Sequence, residues 1–387
     1  MSPAFYGLGP TTGTYAERVA IASPQIGQLF YQTDTDEYVK YVSYGGTNRW
    51  MQANLKPNRN LCINGSGAVA QRNTGSVALT SSMLYGSIDR FAAISTTAPG
   101  TISRITSALP TAATNNVVFT SGFRFGRNNA SALTGVIAVS QALETINSTV
   151  AAGKQVTLSY WAKAGANYSS ASSLFNANVQ SGTGTDQAVN AGGGWTGVAF
   201  PLASTPTLTT SWQFFSVTGA VASTATQLEI LFSYTPVGTA GADDNVYITG
   251  VQLEVGSAPS EFEFEPFETT LRKCQRYYCK SFPPNVAPSA AAGTGAAGGN
   301  ELSIYAATLG NSYLPFRRFP VQMRATPTTF TVLNAENTTA STWSLYNTAG
   351  RVGDFNPNIV SNDRGFFGQV SGAYTVSNGA WAADAEL

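Results

Sequence analysis

Carboxylates are the first groups in this chain whose spacing could support chemistry. Glu261, Glu263 and Glu265 stand at i, i+2 and i+4, and Asp243 and Asp244 form a tandem pair within Ala242-Asp-Asp-Asn-Val246. A glycosidase needs two carboxyl groups facing one cleft from separate elements. Three glutamates along one strand do not meet that geometry, and they read as a solvated face or as a contact for arginines. Hard oxygen ligands suit Ca²⁺, so Asp243 and Asp244 are the candidate metal ligands, weighed against a plain turn that Asp and Asn favour anyway. Such a calcium would be structural, and no other cofactor is expected. Thr33-Asp-Thr-Asp36 reads as a hairpin turn. The chain has no histidine. That removes Ser-His-Asp and Cys-His nucleophile pairs, an imidazole base and His-ligated zinc or haem. No enzyme activity is expected.

Sugar recognition makes a different demand. A flat ring receives the C–H face of the sugar while amides, carboxylates or guanidinium groups beside it take the hydroxyls. Trp195, in the glycine-rich stretch Ala191-Gly-Gly-Gly-Trp-Thr196, is the leading candidate for ligand contact, followed by Tyr168 and Tyr234. Trp161 and Trp212 fall inside strand patterns and read as packing residues. The three cysteines, Cys62, Cys274 and Cys279, are too scattered for a disulfide framework. On one helix, Cys274 and Cys279 would point about 140° apart and could not pair.

The groups above must be held by elements, and composition says which kind. The 387 residues are 43 % hydrophobic, enough for a core, but only 11 % charged, against about 25 % in ordinary domains. Lysine plus arginine and aspartate plus glutamate both total 21. A balanced chain lacks the basic footprint that releases phosphate counterions, so nucleic acid is not an expected partner. A polybasic membrane anchor is likewise not expected. No apolar run reaches the roughly 18 residues of a membrane span, and the first residues carry no secretory pattern. Manufacture in a reducing cytosol is the expectation. Thr, Ser, Ala, Gly, Asn, Val and aromatics dominate, with turn signals recurring throughout, as in an all-β protein of many short strands.

Residues 1–57 read as an N-terminal module of β-hairpins, Gly27–Gln32, Glu37–Val42 and Asn48–Met51, turning at Thr33–Asp36 and Gly45-Gly46. A hairpin of this size is marginal alone and needs a partner surface in its own chain, a sister chain or a larger particle. Residues 58–268 carry strand patterns that suit one jelly-roll sandwich. The clearest are Gly135–Ser140, Lys154–Ala162, Gln227–Tyr234 and Asn245–Val255. Val117–Phe119, Gly197–Phe200 and Trp212–Val217 are shorter. Within Lys154–Ala162, Val156, Leu158 and Tyr160 face one way and Thr157, Ser159 and Trp161 the other. Glu261–Glu265 alternates strictly. In residues 269–284 the period changes: Leu271, Cys274, Gln275 and Tyr278 fall at i, i+3, i+4 and i+7 on one helical face, capped by Thr269 or Thr270 and stopped by Pro283-Pro284. That face is the candidate oligomer interface, three copies meeting on an axis; the competing reading has the helix cap its own jelly roll. Residues 285–387 open with a linker over 285–300 and continue as a smaller C-terminal β domain.

Three segments resemble bacteriophage tail-fibre and related virion fibre proteins with a carbohydrate-binding-module-like jelly roll. Asn60-Leu-Cys-Ile-Asn-Gly65, Gln71-Arg72 and Asp89-Arg-Phe91 are similar to the opening of those jelly rolls. Val251-Gln-Leu-Glu-Val-Gly256, Phe262–Phe267 and Leu271-Arg-Lys-Cys-Gln-Arg-Tyr-Tyr278 resemble their close. Phe319–Thr328 and Ala383–Leu387 resemble their distal domain. The match departs at Ser66 and Gly67, where those proteins frequently carry acidic or aromatic residues. The resemblance implies a homotrimeric tail fibre of a phage virion. It would attach to other virion proteins through residues 1–57 and present its jelly roll to host-surface polysaccharide. A capsid-surface fibre or knob without a receptor role is the alternative, and a glycan depolymerase a more distant one.

Overall fold

The computed structural model describes residues 11–53, 57–97, 99–112, 117–190, 194–290, 301–304, 306–308, 311–313, 316–334, 336, 338, 341–347, 350–371 and 376–387. The chain is all-β with a few short helices, as its composition predicts. It separates into two compact units that interleave along the sequence. One comprises residues 1–66, 78–84 and 92–264, the other 67–77, 85–91 and 265–387. The change of unit at 264/265 lies close to the expected boundary at 268, and none falls at 57 or 284.

The first unit begins with β1 (Thr11–Gly13), helix α1 (Tyr15–Val19), β2 (Leu29–Gln32), β3 (Glu37–Tyr44) and β4 (Thr47–Gln52), four strands in one sheet. Thr14 and Glu17 form a reciprocal capping box at α1, a Thr-x-x-Glu signal that the sequence reading passed over. The hairpin module finds its partner surface within its own chain. Tyr44 packs its ring 6.0 Å from Trp161 and 5.0 Å from Phe214. Arg18, 3 % exposed, donates to the Ser257 carbonyl at 2.8 Å. The turn at Gly45 has φ +63°, and a Cβ there would stand 2.5 Å from Phe214; only glycine meets both conditions.

The sandwich is built from β5 (Ser76–Ala78), β6 (Leu84–Tyr85), β7 (Ala92–Ser95), β8 (Gly100–Ile105), β9 (Gly122–Arg127) and β10 (Ile137–Leu143). Helix α2 (Thr145–Ser148) follows, then β11 (Gln155–Ala164), β12 (Asn176–Gly182), β13 (Ala199–Ser204), β14 (Gln213–Ala220), β15 (Gln227–Tyr234) and β16 (Asn245–Val255). One sheet has the order β13-β12-β15-β10-β7-β6, the other β14-β11-β16-β9-β8-β5. The inner faces meet through aromatic rings: Tyr160 lies 5.1 Å from Phe232, and Phe175 stacks on Phe232 at 5.7 Å. The predicted two-faced character of Lys154–Ala162 is present, with Trp161 on the outer face beneath the hairpin module. Val117–Phe119 and Glu261–Glu265 are not strands. Phe119 is instead buried at 4 %, against Phe262 and Phe264.

The second unit holds helix α3 (Phe267–Gln275), shorter than the sequence pattern implies. The chain then enters β17 (Tyr278–Lys280), where Tyr278 pairs with Asp384 and Cys279 with Ala383. Tyr278 and Cys279 therefore do not share the helix with Cys274, because two tyrosines in succession favour an extended chain once a strand partner is in reach. All three cysteines are buried, and none is in a disulfide. The remaining strands are β18 (Glu301–Ile304), β19 (Ala306–Thr308), β20 (Asn311–Tyr313), β21 (Arg317–Arg318), β22 (Thr329–Asn334), β23 (Trp343–Asn347), β24 (Gly350–Phe355), β25 (Asn358–Asn362), β26 (Gly365–Ser371) and β27 (Val376–Asp384). β27 is the hub, pairing with β17, β18, β22 and β23. Phe319, Trp343, Phe366 and Trp381 fill the core. Of the predicted linker, residues 291–300 lie outside the described residues.

Candidate functional site

The sandwich's second sheet has its outer face covered by the hairpin module. The outer face of the first sheet carries a row of amides and hydroxyls. Register places Asn176, Asn178 and Gln180 of β12 opposite Ser233, Leu231 and Glu229 of β15, with Ser140 and Ala142 of β10 completing the row. The alternate residues, Ala177, Val179, Leu228, Ile230 and Phe232, point into the core and are fully buried. A strand buried on one side and polar on the other is what a period of two produces.

The row has a closed end and an open end. At the closed end the segment after β12 crosses the sheet. The Gln187 amide donates to Gln227 Oε1 at 2.8 Å, and the Asn190 amide to Glu229 Oε1 at 3.3 Å. Gln180 is fully buried there, and among the described residues its side-chain Oε1 and Nε2, Gln227 Nε2 and Ser140 Oγ have no hydrogen-bond partner. At the open end Asn176, Asn178 and Ser233 are half-buried. Asn176 Oδ1 accepts from Thr205 and Asn178 Oδ1 from the Ser204 amide, both at 3.3 Å. The β12–β13 ladder slips between Val179/Leu202 and Ser181/Ala199, so Phe200 and Pro201 together oppose Gln180. Phe200, in this bulge, is 44 % exposed.

Trp195 belongs to this region but is no open platform. It is 6 % exposed, its indole N–H donates to the Ala188 carbonyl at 2.8 Å, and its ring edge fits against Gly182, where a Cβ would meet Cε3 at 3.0 Å. Of its glycine-rich stretch, residues 191–193 lie outside the described residues. Tyr234 is fully buried, its hydroxyl donating to the Asp244 carbonyl at 3.0 Å. Tyr168 is half-buried, 4.8 Å from the Tyr234 ring, and its hydroxyl donates to Leu174 O at 2.7 Å. Burial pushes the pKa of both phenols up. The three predicted ligand contacts are thus packing residues here.

The tandem aspartates point to different partners. Asp244 is fully buried and accepts from Arg127 Nε at 2.7 Å, the Ser169 amide at 2.9 Å and Ser169 Oγ at 2.8 Å. Asp243 accepts from Tyr247 at 2.8 Å, Asn245 at 2.9 Å and the Ala166 amide at 3.0 Å. Burial pushes the Asp243 carboxyl up, and these hydrogen bonds more than offset it, holding it below its ordinary value. Calcium needs six to eight oxygen acceptors. These carboxylates face N–H and O–H donors and a guanidinium, so the pair does not fit a calcium ion. Among the described residues no group of three or more His, Cys, Asp and Glu is placed to hold a metal.

The other predicted groups are also committed. Leu271 and Cys274 of α3 and Tyr278 of β17 are at most 7 % exposed within a single chain, and Gln275 is half-buried. That face is already covered before any second copy is considered. Glu263 accepts from the Asn58 and Asn60 amides and lies 3.7 Å from Arg59. Glu265 pairs with Lys273. Thr33–Glu37 lines a cavity of about 440 Å³ with Lys154 and Gln155. Its acids are taken by the Tyr15 amide, Tyr31 and Ser257.

Comparison with solved structures returns carbohydrate-binding modules. One described as "CBM4 structure and function" is 20 % identical over 36 % of this chain and 74 % of its own, with a TM-score of 0.25. The C-terminal family 22 module of Clostridium thermocellum Xyn10B is 17 % identical over 47 % and 95 %, TM-score 0.28. TmCBM61, solved in complex with β-1,4-galactotriose, is 11 % identical over 51 % and 100 %, TM-score 0.29. Scores of this size carry no residue correspondence and no ligand, and the sandwich stands on the sheet order given above. No protein-family model matches the chain, and no curated protein matches it.

Proposed function

We propose that this chain is a glycan-recognising structural component of a virion, a phage tail fibre that offers the outer face of its first sheet to host-surface polysaccharide. One observation carries the binding half of this reading: two half-buried amides, Asn176 and Asn178, lie on the outer face of the sheet, and the bulge of the neighbouring strand carries an exposed ring, Phe200. Amide N–H and C=O groups match sugar hydroxyls, and the ring matches a C–H face. The fibre half is supported by the tail-fibre-like segments Val251–Gly256 and Leu271–Tyr278. The reading gives the chain binding and no bond-making step, with residues 1–57 attaching it to the particle.

The test is binding of purified host polysaccharide by the whole protein and by Phe200→Ala and Asn178→Ala. Each variant is expected to weaken binding roughly 5- to 10-fold; Phe200→Ala, at an exposed position, is expected to leave the melting temperature unchanged, and Asn178→Ala to lower it by a few degrees at most, as loss of the Ser204 amide contact requires. Unchanged binding by both would remove the site. Antibody labelling of intact particles checks the fibre assignment, with label on the tail expected and label on the capsid favouring the head-fibre alternative.

A further inference from the structure

We infer that the glycan taken by this face is uncharged, and that sugars bearing carboxylate or sulfate are excluded. The inference rests on the proposed sheet-face site and concerns which sugars that site accepts. Its basis is the distribution of cations. None of the six strands of the first sheet contains a lysine or arginine, and their one ionisable acid is Glu229. Residues 164–271, which supply β12, β13 and β15, contain no lysine or arginine at all. The basic side chains of the sandwich strands belong to the other sheet: Arg104 on β8, Arg124 and Arg127 on β9, and Lys163 on β11.

The polar groups at the open end of the site's face are therefore Asn176, Asn178 and Ser233, all uncharged, and the row continues beneath the crossing segment to Gln180, Gln227, Ser140 and Glu229. Amides and hydroxyls exchange hydrogen bonds with sugar hydroxyls at little net cost, because both sides remain neutral. An anionic sugar is different. Moving a carboxylate or sulfate out of water onto a half-buried surface requires a cation or a dense set of donors to replace its hydration. Arginine is the usual partner for such groups because its fork meets both oxygens. The strands of this face supply no such group. Hydroxyl- and acetamido-bearing neutral residues meet no such penalty.

The experiment compares matched oligosaccharides, neutral hexose chains against the same chains with uronate or sulfate, on the whole protein at about 0.05 M and 0.5 M NaCl. Neutral chains are expected to bind with little change between the two salts, as the absence of ion pairing requires. The charged chains are expected to bind about 30-fold more weakly or worse. Asn178→Lys, at a half-buried position, is expected to narrow that gap at low salt. Acidic chains binding as tightly as neutral ones, with Phe200→Ala weakening both, would overturn the selectivity and leave the site standing. Failure of every glycan to bind would overturn the site and the selectivity together.

Discussion

Asp243 shows how a single residue can be read correctly as special and wrongly as to purpose. Its neighbour Asp244 completes a buried pair with Arg127, whose guanidinium also donates to the Ser131, Leu133, Val237 and Gly238 carbonyls. One arginine thereby ties several loops to the end of the sandwich, and removing one partner of such a pair costs about 3–5 kcal/mol. Asp243 is held by three donors instead. Its lowered pKa means the unfolded chain binds the proton more readily, so this carboxylate contributes stability above its ordinary value of 3.8 and loses it as pH falls further. Asp243→Asn is expected to cost about 1 kcal/mol at pH 7. The difference from the parent should shrink below pH 3.8. Urea midpoints at pH 7, 5 and 3 measure this, and a constant difference would contradict it. Nothing in the spelling Ala-Asp-Asp-Asn distinguishes donors from a metal as the groups facing these oxygens. Part of that information lies in Ser169, Ala166 and Arg127, far away in the chain, and part in Asn245 and Tyr247, whose side-chain directions the spelling does not give.

At the level of elements, period and turn chemistry were legible. Gln227–Tyr234 and Asn245–Val255 begin and end where alternation said they would, and Gly45-Gly46 is the turn it spelled. The polar row was also written in the sequence. Asn176-x-Asn-x-Gln180 and Gln227-x-Glu229 alternate with wholly apolar partners, yet a loop tryptophan drew the functional reading instead. Trp195 is a large ring, and a large ring beside glycines is as easily accommodated against a backbone as presented to solvent; Gly182 makes that accommodation possible. The helix overran because the i, i+3, i+4, i+7 pattern cannot register that β27 offers Tyr278 and Cys279 a ladder. Gly45 gives this scale its prediction. Gly45→Ala combines a left-handed backbone with the close approach to Phe214 and is expected to destabilise the hairpin module by about 1–3 kcal/mol. Hydrogen exchange should quicken in residues 11–53 and stay unchanged in β10 and β15. Uniform loss of protection through both sheets would show that the module and the sandwich unfold as one.

For the whole molecule, the decisive fact is that the second unit is assembled from three stretches of chain. Gln71 bonds to Asp89 and to the Tyr278 carbonyl, Arg72 pairs with Asp384 at 2.8 Å, and Arg90 pairs with Glu386 and lies over the Tyr277 ring at 3.5 Å. These cations and amides come from residues 67–91, whereas their partners come from beyond 276. A fragment of residues 265–387 would leave Asp384 and Glu386 without their arginines and is expected to be unfolded. Its amide spectrum should be poorly dispersed and should sharpen when a peptide of residues 67–91 is added. A well-dispersed spectrum from the fragment alone would count against this. Linear inspection did not join residues 67–91 to this unit because sequence patterns report neighbours, and the two arginines sit about 300 positions upstream of their acidic partners. Interleaving also sets a timetable for biosynthesis. Residues 67–77 and 85–91 emerge roughly 170 residues ahead of Glu265, so at about 5–20 residues per second they wait on the order of 10–35 s beside the ribosome before their counterparts exist.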